Sequence, residues 1–246
     1  MPRSLLLSST ILIAGLAAAP AITVSAAAQT SAETAEAPME QSADAALSAF
    51  FESFDQAELA FSPLTKSFRG IRDADYGTWG DFSDADTVAE QERLIAARDQ
   101  MRASFANADL NDQSRLSFQL FERMAERSAA AFEFRGNDYI FDQMNGAQSQ
   151  LPAFLINIPR VTEPAHAEAY ISRLTGLGTV IDQLITEAEA REANGVVPPD
   201  WVFPYIISDT RNVITGAPFS EGDDTPLYDD LQSKVNSLYI SDEEKA

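Results

Sequence analysis

Cysteine is absent from this 246-residue chain, and histidine occurs once, as His166. Zinc sites normally draw on several Cys or His side chains, so the sequence itself offers no metal ligand set and no cofactor. Cysteine nucleophiles and disulfides are excluded outright. A Ser-His-Asp triad would have to run through His166, and no catalytic residue can be named. Bases are scarce as well: 17 Lys and Arg face 38 Asp and Glu, for a net charge of −21. Such a surface repels phosphate backbones and anionic lipid, which argues against a nucleic-acid partner. Two-carboxylate glycosidase chemistry is compatible with so many acids, but no spacing singles out a pair.

Long apolar runs are also missing, except at the start. Arg3 precedes an apolar stretch from Leu5 to Ala19, and Ala26-Ala27-Ala28 supplies small residues before Gln29. That is the layout of a cleaved signal peptide over residues 1–28. A membrane anchor is the alternative, but spanning takes ~20 predominantly apolar residues, and Pro20, Thr23 and Ser25 interrupt the run. No cysteine follows it, so a lipoprotein anchor is excluded. The expected location is periplasmic or extracellular, with no stable membrane insertion after cleavage near Ala28. Residues 29–41 are rich in Ala, Glu, Ser and Thr and lack an apolar period, as in a disordered leader. Residues 42–246 then form one helical domain. Without disulfides, its fold must rest on an apolar core, which this length can supply.

Helical spacing dominates from there. Ala46, Leu47, Phe50, Phe51 and Phe54 mark one face of a first helix, and Ser62-Pro63 restarts the chain. Ser83 or Asp84 caps a helix through Val88, Leu94, Ile95, Met101 and Phe105. Asn111-Asp112 opens another, with Leu116, Leu120, Phe121 and Met124 as a core stripe, ending near Arg135-Gly136. Gln148 to Ile158 is a short apolar segment bounded by Pro152 and Pro159. The clearest helix follows, with Thr162 as cap, Pro164 in the first turn, and Ile171, Leu174, Ile181, Leu184, Ile185 and Ala188 on one face. Asn194-Gly195 and Pro198-Pro199 stop it. His166, in its first turn, is read as solvated. Asp200 opens a helix through Trp201, Val202, Tyr205, Ile206 and Val213, with Pro204 tolerated in its first turn. After an acidic loop from Gly216 to Pro226 comes a last helix through Leu227, Leu231, Val235 and Leu238. No paired strands or fixed repeat are evident, so the fold class is all-α, with antiparallel helices.

Residues 69–87 break the pattern, alternating glycines, charges and the aromatics Tyr76, Trp79 and Phe82. Aromatics are not left in water without cost, so the loop is ordered. Tyr76 and Trp79 are either a binding loop or packing against the helices. Asp73, Asp75 and Gly77 do not have the spacing of a calcium loop. At the far end, Ser241 and Glu244 have the spacing of a capping box, as though a further helix began there and the domain were part of a larger one.

Three segments in order resemble the N-terminal third of a bacterial family known as domain of unknown function 885. They are Ser62-Pro63 through Phe68-Arg69-Gly70-Ile71 to Tyr76-Gly77-Thr78-Trp79; Asp142-Gln143-Met144-Asn145-Gly146 with Leu151-Pro152; and Glu168-Ala169-Tyr170-Ile171 through Arg173-Leu174 to Asn194-Gly195-Val196-Val197-Pro198-Pro199. The resemblance implies a helical, zinc metallopeptidase-like protein, exported or cytoplasmic, acting on peptide substrates. Its His-Glu-x-x-Pro-Gly-His-His motif would lie beyond these residues; this chain has no His-Glu dipeptide, so zinc is implied only for a full-length relative. Asp142, Gln143 and Gly146 match the family's Asn-Gln-x-x-Gly pattern, with Asp142 departing from Asn. Such a turn could hydrogen-bond a peptide in a substrate groove or fasten two helices. A non-enzymatic exported binding module is the alternative function.

Overall fold

The computed structural model describes residues 42–241 and Glu243. The signal sequence, the leader, and Asp242 and Glu244 of the terminal cap lie outside the described residues. In chain order the helices are α1 (Ala43–Leu59), α2 (Pro63–Phe68), α3 (Asp84–Phe105), α4 (Asp112–Phe132), α5 (Ala147–Asn157), α6 (Pro164–Ala193), α7 (Phe203–Ile214) and α8 (Pro226–Asn236), with a 3-10 turn at Asp200–Val202. Among the described residues there is no strand, only an isolated bridge between Ala217 and Asp224. The fold is all-α.

Local chemistry sets the helix starts. Ser42, Ser62, Ser83 and Asn111 each accept a backbone N–H through the side-chain oxygen, satisfying one of the donors left open in a first turn. Helices α1, α3 and α4 form an antiparallel hairpin pair plus one. Glu58 meets Arg93 at 3.0 Å, Arg102 meets Glu126 at 2.9 Å, and Asp84 meets Arg135 at 2.7 Å. Leu47, Ala97, Met101, Leu110 and Phe121 are their core. Phe50, Phe51 and Phe54 crowd Phe121, with ring centroids 5.2 Å apart for Phe54. A second core joins α5, α6 and α8 around Trp79, Leu151, Phe154, Leu155, Tyr170, Val180 and Leu227.

Two stretches the sequence left without an assigned element are helices. The restart at Ser62-Pro63 is the short α2. The segment around Pro152 is also a helix, α5, with the proline inside it; burial of Leu151, Phe154 and Leu155 holds it despite the missing donor. Glu163, not Thr162, occupies the N-cap position of α6, because the Thr162 hydroxyl is engaged with His166 Nδ1 at 3.1 Å. On α4 only Phe121 and Ala125 are buried; Leu116, Leu120 and Met124 face outward. Helix α4 closes at Phe132, short of Arg135. Likewise Ile171, Leu174 and Ile185 of α6 are largely exposed, while Tyr170, Arg173 and Val180 turn inward.

Acids at the helix junctions make the fold pH-dependent. The backbone N–H of Asn111 donates to Asp44 Oδ1 at 3.0 Å and, with Ser114, holds that carboxyl below its usual range. Arg69 does the same for Asp55, Lys66 for Asp73, the Ser83 backbone for Asp81 and Arg135 for Asp84. A carboxyl depressed on folding adds stability above its unfolded value, and that stability is lost as pH falls through the folded one. Asp44→Asn is therefore expected to melt below the parent at pH 7, with the gap closing well below pH 4. Melting curves from pH 7 to 2.5 check this; a gap that persists at pH 2.5 would show that charge is not its source.

Candidate functional site

The loop over 69–83 lies against α5 and α6 and is fastened along its length. Lys66 Nζ holds Asp73 at 2.9 Å and Asp75 at 2.5 Å. The Tyr76 hydroxyl donates to Arg160 O (3.1 Å) and accepts from the Arg160 N–H (2.8 Å). Trp79 Nε1 donates to Arg173 O at 2.6 Å. Gly77 permits the approach to α6, since a Cβ there would sit 3.3 Å from Ala169 Cα. Tyr76 and Trp79 are 7% and 5% exposed, so their rings pack onto the helices instead of facing solvent, apart from a Trp79 edge bordering a polar hollow.

Arg173 is the centre of this seat and is wholly buried. Its Nε donates to Thr78 O at 2.9 Å, and Nη2 donates to Ser67 Oγ at 2.8 Å. The guanidinium lies 5.1 Å from the Phe154 ring centroid and 5.5 Å from that of Tyr76. Among the described residues no carboxylate pairs with it, and Nη1 has no hydrogen-bond partner. Burial pulls the group down to about 10. Cation–π contact and carbonyl oxygens stand in for the missing counter-ion.

His166 is packed, not solvated. Its ring meets Tyr76 edge-on at 5.3 Å, and Nε2 lies 3.2 Å from Glu163. A second buried network joins Tyr170, Asp230 and Lys234: the Tyr170 hydroxyl donates to Asp230 at 3.0 Å, and Lys234 Nζ donates to Asp230 at 2.6 Å and to the α5 carbonyls of Leu155 and Ile156. Burial, then the Asp230 charge, pushes the Tyr170 hydroxyl far up. Both networks join elements and leave no reactive group facing a cleft.

The turn before α5 is equally tight. Asp142 Oδ1 accepts from the backbone N–H groups of Met144 and Asn145, both at 2.6 Å. The amide that reaches back is Gln148, whose Nε2 donates to Asp142 O; Gln143, half-buried, is not that group. Gly146 starts α5, and a Cβ there would run into the Asp142 backbone and the Gln148 carboxamide. The structure thus brings Asp142 and Gly146 together in one turn and places Tyr76 and Trp79 elsewhere, on Arg160 and the α6 backbone.

Two hollows remain. One, about 260 Å³, is polar; Asp55, Glu58, Asp81, Asp86 and Glu90 line it, with Arg69, Arg93 and the Trp79 edge. Arg69 and Arg93 are already paired with Asp55 and Glu58. The other is an apolar groove of about 630 Å³ with α5 as its floor and α6 and α7 as walls. Leu151 and Pro152, Leu174, Leu177 and Ile181, and Ile206, Val213 and Ile214 line it. The turn before α5 reaches this groove through Phe141, Ala147 and Gln148. Sequence reasoning missed both Arg173, whose signal was a base at core spacing (three residues after Tyr170), and the groove. Among the described residues no three His, Asp or Glu side chains cluster as metal ligands, so these residues do not fit a zinc site.

Residues 63–246 match the model of a family described as "Bacterial protein of unknown function (DUF885)". No curated protein matches the chain. Among solved structures, "The crystal structure of the putative lipoprotein from Colwellia psychrerythraea" superposes with a TM-score of 0.67 at 17% identity, covering 83% of this chain. The chain spans 37% of that protein's length. At this identity the likeness shows a shared fold.

Proposed function

Because this chain belongs to the bacterial family of unknown function DUF885, we propose that it is the N-terminal helical portion of an exported metallopeptidase-like hydrolase, with the catalytic and metal groups supplied from outside these residues. The observation that carries the reading is the 37% span: in the solved fold, what this chain corresponds to is a part. Within the described residues most of the buried polar bonds go to joining elements, which suits a supporting wall and not a reaction centre. Zinc belongs to this proposal only through the remainder of such a protein, and export rests on the signal-like residues 1–28. The expected result is that residues 29–246, purified alone, hydrolyse no peptide, whereas a longer product of the same gene does so until a chelator is added. Chelator-resistant peptide hydrolysis by residues 29–246 would sink the reading.

A second reading, a non-enzymatic exported module that binds a partner, is favoured by one feature, the apolar groove of α5, α6 and α7. Under it, the chain would bind through that groove as an independent unit.

A further inference from the structure

Helix α7 has twelve residues and carries Phe203, Tyr205, Ile206, Ile207, Val213 and Ile214, yet none of its side chains is fully buried. A helix this short does not hold itself in water; packing has to hold it. Its inner side touches α5, and Ile214 is left 55% exposed. Across the groove, α6 leaves Ile185 43% exposed. A smaller hollow of about 310 Å³ extends the groove, sharing Phe141, Ile185 and Ile206 with it. An exposed apolar depression of this size and continuity marks an interaction surface.

The rim says what fits. Asp182 borders the groove, and Asp138, Glu189 and Glu192 border its extension. The one base there, Arg191, is already paired with Asp138 at 3.1 Å. A second copy would bring the same acidic rim on a chain of charge −21 and be repelled. We propose that the groove seats an amphipathic helix with lysine or arginine beside its apolar stripe, and that this helix comes from the part of the hydrolase outside this chain. The inference rests on the preceding reading of the chain as part of a larger fold, most of whose length must pack somewhere.

The test uses two labelled 18-residue helical peptides with the same leucine stripe, one flanked by lysine and one by glutamate. Fluorescence anisotropy should show residues 29–246 binding the lysine peptide at least tenfold more tightly. Ile185→Glu and Ile214→Glu should each weaken it about tenfold. Both make the protein more acidic, so binding by charge alone would strengthen instead and overturn the proposal. Ile185→Ser serves if a glutamate variant misfolds. The longer gene product should not bind, its own helix being in place. If it binds as well as the short chain, the occupant is a separate protein; if the short chain dimerises through Ile185 in sedimentation, it is a second copy; if the gene encodes nothing further, no such helix exists. Each of these overturns the assignment. Peptide hydrolysis is read separately: a longer product that cuts peptides while the short chain ignores both probes removes the groove and spares the hydrolase. Binding with the expected pattern but no hydrolysis does the reverse.

Discussion

Arg173→Met is expected to lower the melting temperature by about 6–12 °C for a domain of this size and to shift the emission of buried Trp79 to the red. Two effects oppose each other. Removing a buried charge relieves desolvation, and with the group pulled down to about 10 that relief is on the order of 3 kcal/mol. Against it stand two charge-assisted hydrogen bonds to Thr78 O and Ser67 Oγ, each worth ~1.5–3 kcal/mol. Cation–π contacts with Phe154 and Tyr76 add ~1–2 kcal/mol when desolvated. The variant also strands the Thr78 carbonyl inside the protein, at ~1–3 kcal/mol. The losses win by roughly 3 kcal/mol. Arg173→Lys should recover little, because an ammonium lacks the planar fork that sets Nε on Thr78 O and Nη2 on Ser67 Oγ at once. A methionine variant that melts with the parent would mean the loop is held by Tyr76 and Trp79 alone.

Arg173 also shows where the sequence stops being legible. The helical class, the starts of α3 and α4, the Asn194-Gly195 stop and the ordered loop all follow from local chemistry: caps, left-handed glycine, and aromatics that must be covered. The inward face of α6 does not. Ile171, Leu174 and Ile185 make the better apolar stripe by hydropathy, yet the helix turns Tyr170, Arg173 and Val180 inward. Apart from Arg173 Nη1, the polar groups there are satisfied by carbonyls and side chains from α2, the loop and α8, tens of residues away in sequence. Hydropathy cannot register a partner supplied by the fold. Of the stripe it does find, Ile181 and Leu184 pack against the core as expected, whereas Leu174 and Ile185 wall the groove; Leu116, Leu120 and Met124 on α4 likewise lie outside. His166 fails for a similar reason: its cover is Tyr76, from a loop about ninety residues earlier.

Gly146→Ala should be among the most damaging single-methyl changes in the described residues, and paired with Gln143→Ala it separates the two meanings left open for the turn. A Cβ at 146 has nowhere to go: the Asp142 carbonyl would lie 2.7 Å away, and the Asp142 N–H and the Gln148 carboxamide are nearer still. Those are backbone atoms and a side chain 6% exposed, so the start of α5 must shift, at a cost of ~1–3 kcal/mol or more. The expected loss is about 4–10 °C in melting temperature, and because α5 is the groove floor, the lysine peptide should bind more weakly in step with it. Gln143 makes no such contact, and its replacement should stay within ~0.5 kcal/mol of the parent. If Gln143→Ala leaves the melt unchanged but removes peptide hydrolysis from the longer gene product, Gln143 holds substrate. If only Gly146→Ala matters, the residues Asp142 to Gly146 are a clasp that closes the turn onto the start of α5, and their resemblance to a family pattern reflects how that clasp folds.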